Sequence, residues 1–194
     1  MAITNRASQR GYSLLEALAA LAVIAVVTGI TVLSTQTMLP NAKANSATDQ
    51  LLYQLRSARE TAIAHRCEVQ VQFTGTNILT LTQIWVTGVP PAPVTTNLQG
   101  SMQYTLEGLP DLPGPYNFGN AGAIEFEGIV GGPPLMKFTT NGSFIDAGGT
   151  YVNGTVFLGV PGNTGTARAI SILGATGRVR EYHWTGGANG AWSE

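Results

Sequence analysis

Residues 10–39 have the sequence RGYSLLEALAALAVIAVVTGITVLSTQTML, and this stretch decides the fold of the N-terminal part of the chain. Residues 17–39 carry no formal charge. As an α-helix rising about 1.5 Å per residue, this run is roughly 34 Å long, enough to cross a hydrocarbon layer of about 30 Å. The sequence therefore predicts a long apolar helix that can span a membrane.

Basic residues lie just before this run. Arg6 and Arg10 precede it, with no acidic residue between positions 1 and 11. The positive-inside rule then places the N-terminus in the cytoplasm and the rest of the chain on the other side of the membrane. The apolar run is too long for an ordinary cleaved secretory signal. A plain membrane anchor remains an alternative.

Glu16 stands at the start of the apolar run. An ionisable side chain there is costly and indicates a functional site with a partner, although a carboxylate near the lipid headgroups can also snorkel towards water. The run alone does not decide between these two interpretations of Glu16.

The segment RGYSLLEAL at residues 10–18 resembles the processing motif of type IV prepilins and type II secretion pseudopilins: a short basic leader that ends in glycine, an aromatic residue, a small hydroxyl residue, two aliphatic residues and glutamate. The resemblance implies cleavage after Gly11 by a prepilin peptidase that also N-methylates the new N-terminal residue, Tyr12. Tyr12 departs from the family's usual phenylalanine. It further implies that Glu16 pairs with the Tyr12 amine of a neighbouring subunit, which would offset the cost of burying both charges.

Beyond the apolar run the pattern changes. Pro40 predicts a kink or break in the helix, and residues 46–49 resemble an imperfect capping box that restarts it. Apolar residues at helical spacing then predict an amphipathic helix lying on a core; they are Leu51, Leu55, Ala58 and Ala62.

Short strands follow in the C-terminal part. Alternation at residues 69–73 and a second apolar run at 78–81 predict a hairpin, with residues 85–86 extending its second strand. Residues 87–118, rich in proline, are predicted as a surface loop around one short strand. Strands are predicted at residues 102–106, 123–126, 135–139, 155–160, 167–173 and 178–184.

The predicted fold class is therefore α+β, a long N-terminal hydrophobic helix followed by an antiparallel β-sheet globular domain, which is a pilin-like arrangement. Four segments make up this organisation: a leader peptide at 1–11, a transmembrane or filament-core helix at 12–39, an amphipathic helix packing on the sheet at 40–67, and a β-rich periplasmic domain at 68–194.

Three later segments narrow the resemblance. QLRSARETAIAHR at residues 54–66 is similar to the helix-to-strand junction of GspH/FimT-type minor pseudopilins, and residues 136–142 and 177–180 are similar to later strands of that family. The resemblance implies a structural subunit of a type II secretion filament, single-pass in the inner membrane before it joins an extracytoplasmic filament. Its implied partners are other pilin or pseudopilin subunits and the inner-membrane assembly platform with its ATPase.

The charge balance argues against a bulk nucleic-acid binder. Charged residues make up 11% of the 194 residues and the net charge is −1. From Ala44 onward, seven basic residues against ten acidic ones leave a net charge of −3. Any affinity for DNA would therefore have to come from a local cluster of basic residues.

Arg178 and Arg180 form the one candidate cluster, since side chains two apart share a face of a strand. Some FimT-type minor pilins that serve DNA uptake carry such a Gly-Arg-x-Arg motif, so a DNA-binding minor type IV pilin is an alternative function. Arg168, His183 and Trp184 are expected to be nearby. The other interpretation is a final hairpin whose arginines are solvated and pair with acids such as Glu181.

The sequence offers little for catalysis or metal binding. Cys67 and two histidines, His65 and His183, cannot supply the four ligands of a structural zinc site. The glycine-rich residues 159–165 lack the Lys-Ser/Thr ending of a phosphate loop and predict a turn. We expect no catalytic residue, no cofactor and no metal. A third possible function is a membrane-anchored periplasmic binding module.

Overall fold

The structure, a computed structural model, describes residues 14–127, 129–130, 136–186 and 190–194, and the side chains of these residues except 30–38 and 129–130. The chain divides into two compact units, residues 1–39 and 40–194. The first unit contributes the start of the helix, and the second holds the rest of the helix and all the described strands.

Helix α1 runs without interruption over Leu14–His65, with Pro40 inside it. The predicted break at Pro40 and the predicted restart at residues 46–49 are therefore wrong. Proline removes one backbone donor, but the turns on either side retain theirs. Thr48, expected in a cap, is buried, and its hydroxyl donates to the Ala44 carbonyl at 2.8 Å, a bond made inside a helix.

The described part of the second unit forms two antiparallel sheets. Their strands are β1 Glu68–Thr74, β2 Ile78–Ile84, β3 Val94–Asn97, β4 Gln103–Tyr104, β5 Ile124–Phe126, β6 Ile129–Val130, β7 Met136–Phe138, β8 Phe144–Ile145, β9 Gly154–Val160, β10 Asn163–Leu173, β11 Arg178–Trp184 and β12 Trp192–Ser193. The first sheet has the order β3-β2-β1-β7-β8, and the second has the order β12-β11-β10-β9-β5-β6, with β4 also paired to β9.

The predicted α+β fold class is confirmed, as is the hairpin of β1 and β2, whose pairing runs from Glu68↔Ile84 to Thr74↔Ile78. The predicted extension of β2 is wrong, because the strand ends at Ile84 and the Val86 side chain is exposed. Leu135, predicted to begin a strand, lies outside the described residues.

One core joins the helix to both sheets. The predicted stripe of α1 is buried and begins about two turns earlier than expected, since Ala44 and Ala47 are also fully buried. Phe138 and Phe144 pack in this core, with ring centroids 4.7 Å apart. Helical spacing of small and branched apolar side chains therefore sets which face of α1 lies on the sheets.

A second buried cluster covers the other face of the second sheet. Phe157 of β9 and Tyr182 of β11 lie there, because alternate side chains of a strand point to opposite faces. Leu109 and Leu112 from the proline-rich segment pack on them, and the Trp192 indole donates to the Pro110 carbonyl at 2.8 Å. The segment predicted as a surface loop therefore supplies part of a core, because its buried leucines cover this apolar sheet face.

Four strands were not predicted: β3, β6, β8 and β12. Each has two to four residues. Such runs are too short to display the alternation on which strand prediction depends, and pairing with longer neighbours holds them in place. The strand predicted at residues 102–106 is shorter than expected and covers only Gln103–Tyr104.

Tyr104→Phe is expected to raise the free energy of unfolding by about 1 kcal/mol. The Tyr104 hydroxyl is buried beside Phe73 and has no hydrogen-bond partner among the described residues. Burial also raises the pKa of this hydroxyl. Removing an unsatisfied polar atom removes its desolvation cost while the ring stays packed. Urea unfolding followed by tryptophan fluorescence measures the change.

Tyr182→Phe is the matched control, because Tyr182 is a buried tyrosine whose hydroxyl interacts with the Arg180 side chain. This variant is expected to lower the free energy of unfolding by about 1 kcal/mol. A loss of stability in Tyr104→Phe of the same size as in the control would contradict the prediction, since it would mean that the Tyr104 hydroxyl has a partner.

Candidate functional site

The predicted processing site lies at the edge of what the structure describes. Gly11 and Tyr12 are outside the described residues. Glu16 is in the first turn of α1, where it is exposed.

The first unit exposes apolar side chains on every side of the helix. Eight leucine, valine and isoleucine side chains between Leu14 and Val27 are 56–79% exposed. At 100° per residue, Leu14, Val26 and Val27 point in three directions that are at least 100° apart. A helix that is apolar all round is typical of one surrounded by lipid or by other helices.

Among the residues that the structure describes, no helix is both long enough and apolar enough to cross a membrane. Tyr12, Ser13 and the side chains of residues 30–38, all part of the span predicted at 12–39, lie outside the described residues.

In the second unit, Arg59 of α1 joins two distant turns. Its Nε donates to the Gly142 carbonyl at 3.1 Å and to the Thr176 carbonyl at 3.0 Å. Gly142 lies in the turn between β7 and β8, and Thr176 in the turn between β10 and β11. We call the contact of these two turns with Arg59 the three-segment junction. It brings together the three segments that carry the GspH/FimT resemblance.

Glycine is required on both sides of the junction. Gly142 and Gly177 have φ angles of +83° and +60°, which L side chains rarely adopt. A Cβ on Gly177 would lie 2.0 Å from the Gly142 carbonyl oxygen, and one on Gly142 would lie 2.7 Å from the Ile63 side chain. The two turns can approach each other only without a Cβ on Gly177, and the left-handed φ favours glycine at position 142.

The two arginines proposed to bind DNA have different surroundings. Arg178 is exposed, and its side chain makes no hydrogen bond or ion pair within the described part of the chain. Arg180 forms an ion pair with Glu194 at 2.6 Å, and its guanidinium lies over the Tyr116 ring, 4.5 Å from the centroid. The predicted pairing of these arginines with acids is therefore found for Arg180, although its partner is Glu194 and not Glu181.

The other expected members of a DNA-binding cluster lie apart. Arg168 is buried and donates to the Asn45 side chain at 2.7 and 3.0 Å, and burial lowers its pKa. His183 pairs with Glu181 at 2.9 Å, and both face the same side of the sheet as Arg168. Arg180 and Trp184 belong to the opposite side, where Trp184 contacts Trp192. The expected single platform of cations and an aromatic ring is therefore wrong.

Cys67 is buried at the end of α1, and burial raises the pKa of its thiol. His65 and Arg66 beside it are exposed. The described residues contain no group of three or more His, Cys, Asp or Glu side chains that could hold a metal ion.

Sequence reasoning missed the role of Arg59. Its partners are 83 and 117 residues away in the chain. The resemblance to GspH/FimT-type pseudopilins could have indicated these partners, because its three segments are residues 54–66, 136–142 and 177–180.

Comparison with known families matches residues 6–32 to the prokaryotic N-terminal methylation motif. The prediction of a prepilin-type N-terminal motif is thereby confirmed. No curated protein sequence is significantly similar to the chain.

Among solved structures, the chain is similar to the type IV minor pilin FimU of Pseudomonas aeruginosa, with 20% identity, 71% of this chain and 90% of that chain covered, and a TM-score of 0.45. It is also similar to the minor pseudopilin EpsH of the type 2 secretion system of Vibrio cholerae, with 14% identity, 73% and 97% covered, and a TM-score of 0.46. At such identities and TM-scores, neither similarity assigns a role to this chain.

Proposed function

We propose that this chain is a prepilin-like minor subunit: residues 1–11 are removed between Gly11 and Tyr12, Tyr12 is N-methylated, and the helix then enters a filament. The observation that carries the proposal is the match of residues 6–32 to the prokaryotic N-terminal methylation motif. The apolar side chains exposed between Leu14 and Val27 support it, because lipid would cover them before assembly and neighbouring helices afterwards.

Before assembly the chain is anchored in the inner membrane by residues 12–39. Arg6 and Arg10 support a cytoplasmic N-terminus, which leaves residues 40–194 in the periplasm. A prepilin peptidase that also methylates the new N-terminus is the first partner. Other subunits and an assembly platform with its ATPase are the next ones.

The machine that we propose is a type II secretion system, in which the chain is a minor pseudopilin that takes part in protein export across the outer membrane. The resemblance of residues 54–66, 136–142 and 177–180 to GspH/FimT-type minor pseudopilins supports this choice. Deleting the chain and measuring the export of folded proteins, in parallel with pilus-dependent DNA uptake, separates the two kinds of filament.

A DNA-binding minor type IV pilin is the second candidate. The exposed Arg178 favours it. Arg180 supports it less, because its charge is already paired with Glu194. Two phosphate contacts would give only weak binding with a small salt dependence, and one contact would give less of both.

Gly11→Val is expected to abolish shortening of the chain in cells that contain a prepilin peptidase. A branched side chain at Gly11 would block the close backbone approach that a glycine allows. Gly29→Val is the matched control, since a Cβ at Gly29 of the same apolar segment meets no atom within 4 Å. Wild type and control should both be shortened.

Gel mobility and mass spectrometry of the N-terminus measure the outcome. In the wild type they should identify methylated Tyr12 as the first residue. Shortening of Gly11→Val at the same bond, or an intact N-terminus in the wild type, would overturn the proposed function.

A further inference from the structure

A groove of about 500 Å³ lies between the C-terminal part of α1 and the start of β11. Three arginines line it, Arg56 and Arg59 from the helix and Arg178 from the strand. Glu60 is the acidic residue among the lining residues, so the formal charges of the lining sum to +2. We call this feature the arginine groove. It lies entirely within the second unit.

The three arginines of the arginine groove use few of their side-chain donors within the described part of the chain. Arg59 uses its Nε for the two carbonyls of the three-segment junction, which leaves its two terminal nitrogens. Arg56 makes one long hydrogen bond of 3.4 Å, from Nη2 to the Val179 carbonyl. Within the described part of the chain, the side chain of Arg178 makes none. Each arginine therefore retains donors for a ligand, and Arg59 is held in place before the ligand arrives.

Arginine with free terminal donors suits planar anions. The fork of N–H groups matches the two oxygens of a carboxylate, and such charge-assisted bonds are roughly twice as strong as neutral ones. Leu173 and Val179 also line the groove, so apolar contact is available beside the charged groups. A peptide with acidic and apolar side chains in turn fits both features.

We propose that the arginine groove binds an acidic segment of a partner protein, whose carboxylates pair with Arg56, Arg59 and Arg178. The mixed lining favours this ligand over a nucleic acid. From Ala44 onward the chain has a net charge of −3, which repels a long polyanion, and Glu60 would face the phosphates. A short peptide with few charges interacts mainly with the local positive charge.

The inference does not depend on the proposed function, because neither trimming at Gly11 nor assembly of the helix enters it. A failure of the Gly11→Val experiment would leave it standing. Likewise, a failure of the groove to bind an acidic peptide would leave the proposed cleavage after Gly11 unaffected.

The test uses the full chain in nonionic detergent micelles and a short fluorescein-labelled peptide of alternating Glu and Leu. Fluorescence anisotropy measures binding at low and at moderate salt. The double variant Arg56→Gln/Arg178→Gln is expected to weaken binding at least about tenfold, because it removes two charge-assisted contacts to the peptide. Both residues are near or on the surface, so the fold should be retained.

Lys43→Gln is the matched control, since Lys43 is an exposed basic residue of α1 outside the groove. Its affinity should stay within about twofold of the wild type, because an exposed charge outside a site contributes little. The single variants Arg56→Gln and Arg178→Gln should each give an intermediate loss. Urea unfolding verifies that all variants are folded.

Three results would overturn the inference. The first is equal binding of the matched peptide of alternating Gln and Leu, which would mean that apolar contact with the chain or the micelle is responsible. The second is unchanged affinity in the double variant. The third is tighter binding of a single-stranded oligonucleotide that is lost in the double variant, which would identify a nucleic-acid site.

Discussion

Gly177→Ala is expected to lower the free energy of unfolding by about 2–5 kcal/mol. An alanine at a φ of +60° costs roughly 1–2 kcal/mol, because its Cβ crowds the backbone in the left-handed region. The new Cβ would also lie 2.0 Å from the Gly142 carbonyl oxygen, so the two turns of the three-segment junction must separate. Overpacking of this kind costs typically about 1–3 kcal/mol more.

Gly75→Ala separates the two causes. Gly75 has the same φ of +60° in the turn between β1 and β2, but a Cβ there meets no atom within 4 Å. Its cost should therefore be the backbone term alone, about 1–2 kcal/mol. Urea unfolding of both variants, followed by tryptophan fluorescence, measures the difference. If Gly177→Ala cost no more than Gly75→Ala, the close approach of the two turns would not contribute to stability.

Glu16→Ala is expected to be trimmed normally but to enter filaments at least about tenfold less than the wild type. This prediction rests on the proposed function, in which cleavage creates a positive amine on Tyr12 that Glu16 of a neighbouring subunit meets in low dielectric. Removing one partner of a buried ion pair costs about 3–5 kcal/mol, because the remaining charge is left unpaired. A cost of 1.4 kcal/mol already corresponds to a factor of ten.

Trimming and assembly are measured separately for this variant. Gel mobility reports trimming, and the amount of chain in sheared filament fractions reports assembly. Asp111→Asn serves as the control, since it removes an exposed carboxylate from the second unit. Normal amounts of Glu16→Ala in filaments would rule out the role of Glu16 in assembly, and a loss of trimming would place its role earlier, in recognition by the peptidase.

Periodicity made the second half of α1 predictable. Leu51, Leu55, Ala58 and Ala62 are buried as their spacing requires, because a helix places residues three and four apart on one face whatever the rest of the chain does. The hairpin of β1 and β2 was predictable for the same kind of reason, since its alternation is local and its turn is short.

The path of the helix at Pro40 and the packing of the proline-rich segment were not predictable in this way. Proline makes the free energy of helix formation locally less favourable, but the helical turns on both sides of Pro40 still form. The burial of Leu109 and Leu112 depends on the apolar face of a sheet formed mainly by β9, β10 and β11. Nothing in residues 87–118 indicates that this face is nearby.

The sequence by itself determined the α+β fold class, the apolar N-terminal helix and the methylation motif at residues 6–32, because these depend on composition and on spacings of a few residues. Only the tertiary structure decided what the arginines do. Spacing placed Arg178 and Arg180 together, but the Glu194 and Tyr116 side chains occupy Arg180 and leave Arg178 available. Arg59 lines the same groove as Arg178 for an equally non-local reason, because the two sheets bring the Gly142 and Thr176 carbonyls to it. Contacts between residues so distant in the chain leave no local pattern.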